Sequence, residues 1–302
     1  MNTQQLLKLM KEKPYLLDMG KGLLSKRYNI TPEGVVEAKR LYRNKIEKPI
    51  AKILIFDIET SPMRAFIWNM WNNNTNLEQV ISEWYCIAWS AKWLYSNDVM
   101  GDVLTPEEAI KEDDSRIVKS LWELFNQADI VVAHNGNKFD IPKMNARFII
   151  NDLPPTKPYF SIDTCLIARK QFGFSSNKLD ALAGYFNIPH KLETSFDLWK
   201  KCMEGDKESL EYMLEYNKKD VIILEEVYLK LRPWIKNHPN IGNLEGIKVA
   251  CANCGSESLE KTNDFYYTSV GKYKLYKCKC CGALSRSRKK ELTSTELISV
   301  GK

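Results

Sequence analysis

The chain has 302 residues, of which 44% are hydrophobic and 27% are charged, and its formal net charge is +6. This length fits one large domain with appendages, or two to three smaller units, with a hydrophobic core of ordinary size. No apolar run approaches the roughly 20 residues that cross a bilayer, and residues 1–13 lack the apolar block of a secretory signal. Composition therefore argues against a membrane-spanning or secreted protein, and we expect a cytoplasmic one.

The charge is distributed unevenly along the chain. Residues 1–50 and residues 246–302 each contain 11 Lys/Arg and 5 Asp/Glu, a net +6, whereas residues 51–245 contain 22 and 28, a net −6. Basic flanks around an acidic centre are typical of a protein that binds a polyanion and loads cations. Basic ends that only maintain solubility would give the same tally, so charge alone favours neither interpretation.

Residues 1–48 predict a small helical unit. An amphipathic first helix is followed by a second helix over residues 21–28 and a third that opens at Thr31-Pro32, with Thr31 as N-cap. Two short helices joined by a tight turn, the second with a basic face, resemble a helix-turn-helix, and a plain helical cap fits nearly as well. The candidate nucleic-acid contacts on that face are Lys39, Arg40 and Arg43.

Residues 51–235 predict the main domain. Strands followed by helices indicate an α/β fold in which helices flank a mixed sheet. The predicted strands cover residues 53–58, one or two strands within 84–94, and 130–133; the predicted helices cover 117–128, 141–150, 178–186 and 207–231.

Two acids stand at the end of the first strand of this domain. Side chains alternate along a strand, so Asp57 and Glu59 point to one face, about 7 Å apart. Because Ile53 to Phe56 are all apolar, the strand is expected to be buried and the acids to emerge at its end. Paired carboxylates repel unless a cation lies between them, and Mg²⁺ or Mn²⁺ is the cation that prefers such oxygen ligands.

Two further motifs follow along the chain. The buried strand 130–133 runs into a polar loop that carries Asn135, Phe139 and Asp140, and an isolated Asp in this position is most often a helix N-cap. Tyr216 and Asp220 are four residues apart on the last predicted helix and therefore share one face. Each motif alone is weak evidence for a site, and the significance lies in their order.

The ordered set of motifs resembles a known family. Asp-x-Glu, Asn-x-x-x-Phe-Asp and Tyr-x-x-x-Asp, over roughly residues 51–230, resemble the three exonuclease motifs of the DEDD superfamily, which has a ribonuclease H-like fold. With Tyr216, the last motif resembles that of the tyrosine subtype. The histidine subtype has a histidine five residues before the last Asp, and Glu215 occupies that position here. The run Ile-Phe-Asp-Ile-Glu-Thr-Ser-Pro with Trp68 and Trp71 resembles phage and bacterial exonucleases related to family B DNA polymerase proofreading domains.

The resemblance implies a 3′–5′ exonuclease that uses two Mg²⁺ or Mn²⁺ ions about 3.5–4 Å apart. Asp57 would bridge both ions, Glu59 and Asp220 would hold the ion that activates water, Asp140 would act on the second ion, and Tyr216 would orient the water. Asn135 and Phe139 would shape the substrate cleft, with Phe139 stacking on a base.

The resemblance also implies a setting for this activity. The substrate would be nucleic acid, with DNA favoured over RNA, in the cytoplasm of a bacterial or phage-infected host cell. A separate polymerase, or a replication or recombination protein, would be the protein partner. Two alternatives stay open: a structure-specific endonuclease or ribonuclease on the same metal site, and a non-catalytic nucleic-acid-binding protein. The intact set of four carboxylates argues against the second.

Residues 248–302 predict a zinc ribbon after a linker over 232–247. Two Cys-x-x-Cys pairs, Cys251/Cys254 and Cys278/Cys281, can surround one structural Zn²⁺ tetrahedrally, each with a glycine behind its second cysteine. Cys280 is an alternative ligand. The ribbon is rich in basic residues, so we expect it to contact phosphates, although it could instead bind protein or cap the domain. The candidate contacts are Lys277, Lys279, Arg286 and Arg288.

Overall fold

The computed structural model describes residues 1–17, 19–44, 50–71, 74–189 and 192–291. The chain divides into two compact units, a central unit of Lys52–Leu231 and a terminal unit that combines Met1–Ala51 with Arg232–Lys302. Across the described ranges, no helix has the length and apolarity needed to span a membrane.

The terminal unit begins with three helices, α1 (Thr3–Glu12), α2 (Lys21–Tyr28) and α3 (Pro32–Asn44). Leu6, Met10, Leu24 and Val35 are fully buried in their shared core. The Thr31 hydroxyl accepts a hydrogen bond from the Gly34 backbone at 3.1 Å, as expected of an N-cap.

The central unit is built on a five-stranded mixed sheet. Its five strands are β1 (Ile53–Thr60), β4 (Cys86–Trp93), β5 (Met100–Val103), β6 (Ile130–Ala133) and β7 (Phe160–Asp163). Between β1 and β4 the chain forms a separate short hairpin of β2 (Arg64–Ala65) and β3 (Val80–Ser82). The sheet order is β5-β4-β1-β6-β7, with β1, β6 and β7 parallel and β4 antiparallel to both β1 and β5. The segment 84–94 therefore forms a single strand of this sheet.

Helices flank this sheet: α4 (Pro106–Lys111), α5 (Ser115–Phe125), α6 (Asp140–Ile150), α7 (Thr164–Gln171), α8 (Leu179–Tyr185), α9 (Phe196–Met203) and α10 (Lys207–Leu231). This confirms the predicted α/β class, a mixed sheet flanked by helices consistent with a ribonuclease H-like fold.

Successive residues of β1 face opposite sides of the sheet. Phe56 packs on Phe125 of α5, with ring centroids 4.9 Å apart, whereas Asp57 accepts a 2.7 Å hydrogen bond from the Asn217 amide of α10. Because side chains alternate along a strand, Glu59 lies on the Asp57 face. The central strand thus anchors the core on one side and presents two carboxylates on the other.

A buried ion pair holds α6 against the start of β4. The fully buried Asp114 carboxylate accepts hydrogen bonds from the Cys86 backbone at 2.8 Å and from the Arg147 Nε and Nη2 atoms at 2.7 and 2.5 Å. Since Arg147 would be left buried without its partner, Asp114→Asn is expected to lower the free energy of unfolding by about 3–5 kcal/mol. Urea denaturation measures this change.

The matched control for this substitution is Asp129→Asn. Asp129 pairs with Lys157 where both side chains are partly exposed, so its loss should cost at most about 1 kcal/mol. Equal losses for the two variants would contradict a stabilising role of the buried pair.

The terminal unit ends with α11 (Ile241–Leu244) and three strands, β8 (Leu259–Thr268), β9 (Gly271–Cys278) and β10 (Leu284–Glu291). The strands form an antiparallel sheet in the order β10-β9-β8. Cys251, Cys278 and Ala283 form the buried hydrophobic cluster beside these strands, so the apolar core there is small.

Candidate metal centres and nucleic-acid interface

One cleft of the central unit, with a volume of about 630 Å³, collects the candidate catalytic residues. It opens where β1 and β6 end and α8 and α10 approach. Its lining includes every residue predicted for the catalytic cleft, namely Asp57, Glu59, Asn135, Phe139, Asp140, Tyr216 and Asp220.

Three carboxylates converge in this cleft. Oxygen atoms of Asp57, Glu59 and Asp220 lie within 4.8 Å of one another. Oxygens that share one octahedral Mg²⁺ at about 2.1 Å are roughly 3 to 4 Å apart, so this set fits a common divalent cation with small side-chain adjustments. Asp57 and Glu59 come from one face of β1, and Asp220 comes from α10, which packs on that face.

Asp140 lines the same cleft without belonging to this group of three. It is the first residue of α6, only 2% exposed, and burial raises the pKa of its carboxyl to about 7. The nearby Asp163 adds to this rise, whereas backbone hydrogen bonds, one of them to Ile58, oppose it. A second cation beside Asp140 would compensate this buried acid, which makes the residue a suitable ligand.

The loop between β6 and α6 is fixed by Asp163. The Asp163 carboxylate accepts backbone hydrogen bonds from Asn135 at 3.0 Å, Asn137 at 3.1 Å and Leu166 at 3.0 Å. Asn135 adopts a left-handed backbone conformation with φ of 66°. At Gly136 a Cβ atom would lie 2.4 Å from the Cβ of Ala133, so only glycine fits. Both features set the position of Asp140 at the end of the loop.

The α10 face supplies an unforeseen residue beside Tyr216 and Asp220. Asn217 is fully buried and its amide donates to the Asp57 Oδ2 atom at 2.7 Å, which orients that carboxylate. Its spacing of three residues from Asp220 on a helix was the available signal. Tyr216 is half-buried, and its ring lies edge-on to Trp199, with centroids 6.4 Å apart.

Other cleft residues were not anticipated as site residues. They include His134, which hydrogen-bonds Thr164 at 2.8 Å and the Asn177 carbonyl at 2.9 Å, together with Arg169, Lys178 and Asp180. His134 follows β6 and directly precedes Asn135, Arg169 comes from α7, and Lys178 and Asp180 lie at the start of α8. Residue spacing alone does not assign Arg169, Lys178 and Asp180 to the cleft, because the fold brings them there.

The pKa of Asp140 predicts how stability depends on pH when divalent ions are withheld. An unfolded Asp has a pKa near 3.8. Between pH 3.8 and about 7, the Asp140 carboxyl is therefore protonated in the folded chain and ionised in the unfolded chain. The stability that the neutral carboxyl provides is complete below pH 3.8 and is lost as the pH rises through about 7. Asp140→Asn should therefore be the more stable protein at pH 8, by a few kcal/mol at most.

Melting temperatures of both proteins at pH 5 and pH 8 test this expectation. Added Mn²⁺ should raise the melting temperature of the wild-type protein at pH 8 more than that of Asp140→Asn. Parallel pH profiles for the two proteins would contradict the prediction.

The four predicted zinc ligands converge in the terminal unit. The Sγ atoms of Cys251, Cys254, Cys278 and Cys281 lie within 4.8 Å of one another, and the Cys251–Cys281 and Cys254–Cys278 pairs are each 3.6 Å apart. Thiolates at about 2.3 Å from a tetrahedral Zn²⁺ would be about 3.8 Å apart, so the cluster fits this ion.

The two halves of this cluster have matching backbones. Gly255 and Gly282 follow the second cysteine of each pair with φ of 70° and 82°, and their N–H groups donate to the carbonyls of the first cysteines. The Cys280 backbone N–H donates to the Cys278 Sγ atom at 3.3 Å, and Cys280 lies outside the group of four sulfur atoms.

The basic residues proposed for nucleic-acid contact have different surroundings within the terminal unit. The Lys39 ammonium donates to the carbonyls of Leu17 and Met19 at 2.6 and 2.5 Å, so it contributes to the packing of α3. The side chains of Arg40 and Arg43 lie outside the described parts of the structure.

The candidate contacts of the ribbon lie on or next to its strands. Arg286 lies over the Tyr273 ring, 4.3 Å from its centroid, Arg288 donates to Asn243 at 3.3 Å, and Lys279 lies 3.9 Å from Glu260. Lys277 of β9 is exposed.

Comparison with known protein families found a match for one part of the central unit. Residues 100–232 match a family model described as RNase_H superfamily. The match covers Asp140, Tyr216 and Asp220 and begins after β1, which carries Asp57 and Glu59.

The structure is also similar to the family B DNA polymerase from the hyperthermophilic archaeon Pyrobaculum calidifontis, with a TM-score of 0.45 and 14% identity. The similarity covers 66% of this chain and 27% of the polymerase, so this chain spans little more than a quarter of that protein's length. Comparison with curated proteins found no matching sequence.

Proposed function

We propose that this protein is a metal-dependent 3′–5′ exonuclease that hydrolyses phosphodiester bonds of nucleic acid, with DNA as the favoured substrate. The observation that carries the proposal is the convergence of Asp57, Glu59 and Asp220 in a cleft that also holds the buried Asp140. The RNase_H superfamily match supports a nuclease. The direction of hydrolysis rests on the resemblance of the three motifs to tyrosine-subtype DEDD exonucleases.

The residues of the cleft suit this chemistry. Two bound Mg²⁺ or Mn²⁺ ions would activate water and offset charge on the phosphate. Asp57 would be shared between the ions, with Asn217 holding its carboxylate in place. Glu59 and Asp220 would complete one ion site, Asp140 would serve the other, and the Tyr216 hydroxyl would orient the attacking water.

The terminal unit would hold the substrate. Structural Zn²⁺ on the four cysteines would stabilise the ribbon, and its strands would present Lys277, Lys279, Arg286 and Arg288 to phosphates. Arg40 and Arg43 would add contacts from α3. A separate polymerase, or a replication or recombination protein, would be the protein partner.

Hydrolysis of 5′-labelled oligonucleotides tests the proposal. Single-stranded and duplex DNA and RNA are incubated with Mg²⁺ or Mn²⁺, and Asp140→Asn serves as the inactive control. A descending ladder of labelled products supports a 3′–5′ exonuclease. A single internal cut would indicate an endonuclease instead, faster RNA cleavage a ribonuclease, and intact substrates under every metal condition a non-catalytic binding protein.

A further inference from the structure

A hairpin with an apolar surface leaves the central sheet next to the carboxylates. We name residues 62–71 and 74–84, which include β2 and β3, the apolar hairpin. The Ser61 backbone N–H donates to the Tyr85 carbonyl at 2.9 Å, and the Tyr85 N–H donates to the Ser61 hydroxyl at 2.9 Å. Its two ends are therefore held together just beyond Glu59.

Large apolar side chains cover this hairpin and face solvent. Trp68 is 94% exposed and Trp71 is 79% exposed. The other exposed members are Met63, Phe66, Ile67, Met70, Leu77 and Ile81. Between residues 62 and 84 the sequence has only three charged residues, Arg64, Glu78 and Glu83, and Arg64 pairs with Glu112. A concentration of exposed apolar area of this kind marks a binding surface.

A row of aromatic and basic side chains connects the hairpin with the cleft. Phe139 lines the cleft and is 39% exposed. The Lys143 ammonium lies 5.1 Å from the centroid of the Phe139 ring and 3.6 Å from that of Trp84, at the base of the hairpin. Arg147 also approaches Trp84, at 5.9 Å. The surface is thus continuous from the carboxylates, over Phe139, Lys143 and Trp84, to the hairpin.

We propose that the apolar hairpin is a stacking surface for the unpaired bases of a single strand whose end lies in the cleft. Bases stack on aromatic side chains whatever their sequence, because every base has a π-face. Phe66, Trp68 and Trp71 offer such faces. Lys143 would contact the backbone between the two regions. The nature of the ligand rests on the proposed nuclease function.

The test separates stacking from general apolar contact. Trp68→Leu/Trp71→Leu keeps apolar area and removes the aromatic faces, whereas Trp68→Phe/Trp71→Phe keeps the faces. Fluorescence anisotropy of labelled oligo(dT) of 4, 8 and 16 nucleotides with the full chain, without added divalent ions, gives the affinities. The leucine pair should weaken binding of the 16-mer by tenfold or more, and the phenylalanine pair by less than threefold. The exposed pair Ile149→Ala/Ile150→Ala is the control in the same unit and should bind as wild type.

The outcomes distinguish this inference from the proposed function. Wild-type affinity of the leucine pair would overturn the inference, even if the protein cleaves DNA. Weaker self-association of the leucine pair in light scattering, with unchanged oligonucleotide affinity, would also overturn it and identify a contact between copies. Lost affinity in the leucine pair of a protein that cleaves no nucleic acid would support the stacking surface and refute only the nuclease.

Discussion

Asp57→Asn should reduce hydrolysis of a single-stranded oligonucleotide by at least three orders of magnitude, equivalent to about 4 kcal/mol of activation free energy. Asp57 is one of the three carboxylates that converge in the cleft with Glu59 and Asp220, and it is oriented by Asn217. The amide of an asparagine can occupy the same space and lacks the negative charge that holds a divalent cation. The measurement is kcat/KM on a labelled oligonucleotide across a range of Mg²⁺ and Mn²⁺ concentrations.

Asp98→Asn is the matched control for this loss. Asp98 is exposed in the same unit and lies away from the cleft lining, so its substitution should leave kcat/KM within about twofold of wild type. An unchanged circular dichroism spectrum for Asp57→Asn would show that the loss is not due to unfolding. If this variant retained a tenth of the wild-type activity, the catalytic centre would have to lie elsewhere.

Removal of zinc should unfold the ribbon. Three small residues, Cys251, Cys278 and Ala283, form the buried hydrophobic cluster of the ribbon, and two of them belong to the group of four cysteines that would hold the zinc. Such a core provides little hydrophobic stabilisation, whereas structural zinc sites contribute on the order of 10 kcal/mol of folding free energy. Cys281→Ser is expected to lose the bound zinc and the hydrogen-exchange protection of β8 to β10. Metal analysis and hydrogen exchange of residues 259–291 measure the two effects.

Cys280→Ser is the control for the zinc prediction. Cys280 neighbours Cys281 and lies outside the group of four sulfur atoms. Its backbone N–H donates to Cys278, and its side chain contacts Cys254, where a serine hydroxyl can take the place of the thiol. This variant should keep one zinc per chain and wild-type exchange protection. Zinc loss from Cys280→Ser equal to that from Cys281→Ser would show that the four-sulfur geometry does not describe the bound state.

The elements predicted well from sequence are those with continuous local signals. The apolar run before Asp57 predicts β1, and the helical spacing of apolar residues predicts α10 over residues 207–231. The hairpin β2–β3 and the strands β5 and β7 went unpredicted. They are two to four residues long and largely half-buried or exposed, so neither alternation nor a buried run marks them.

The candidate site residues also divide into those that local sequence patterns predict and those that depend on the packing of distant segments. Asp57, Glu59 and the four cysteines follow from strand alternation and ligand spacing, which are local properties. The burial of Asp140 and its raised pKa depend on packing, which sequence spacing does not reveal. Asn217 was passed over because its partner, Asp57, is 160 residues away in the chain.

The two backbone hydrogen bonds that Asn135 and Asn137 donate to Asp163 affect how fast and how tightly cations would load. They order the segment that ends in Asp140 while the chain folds, so the conformational entropy of this segment is lost before any ion arrives. Cation binding then requires side-chain rotations and dehydration of the ion, without a slow rearrangement of the backbone. The affinity of the site for a cation would accordingly depend on charge and hydration, with the loop already in its binding conformation.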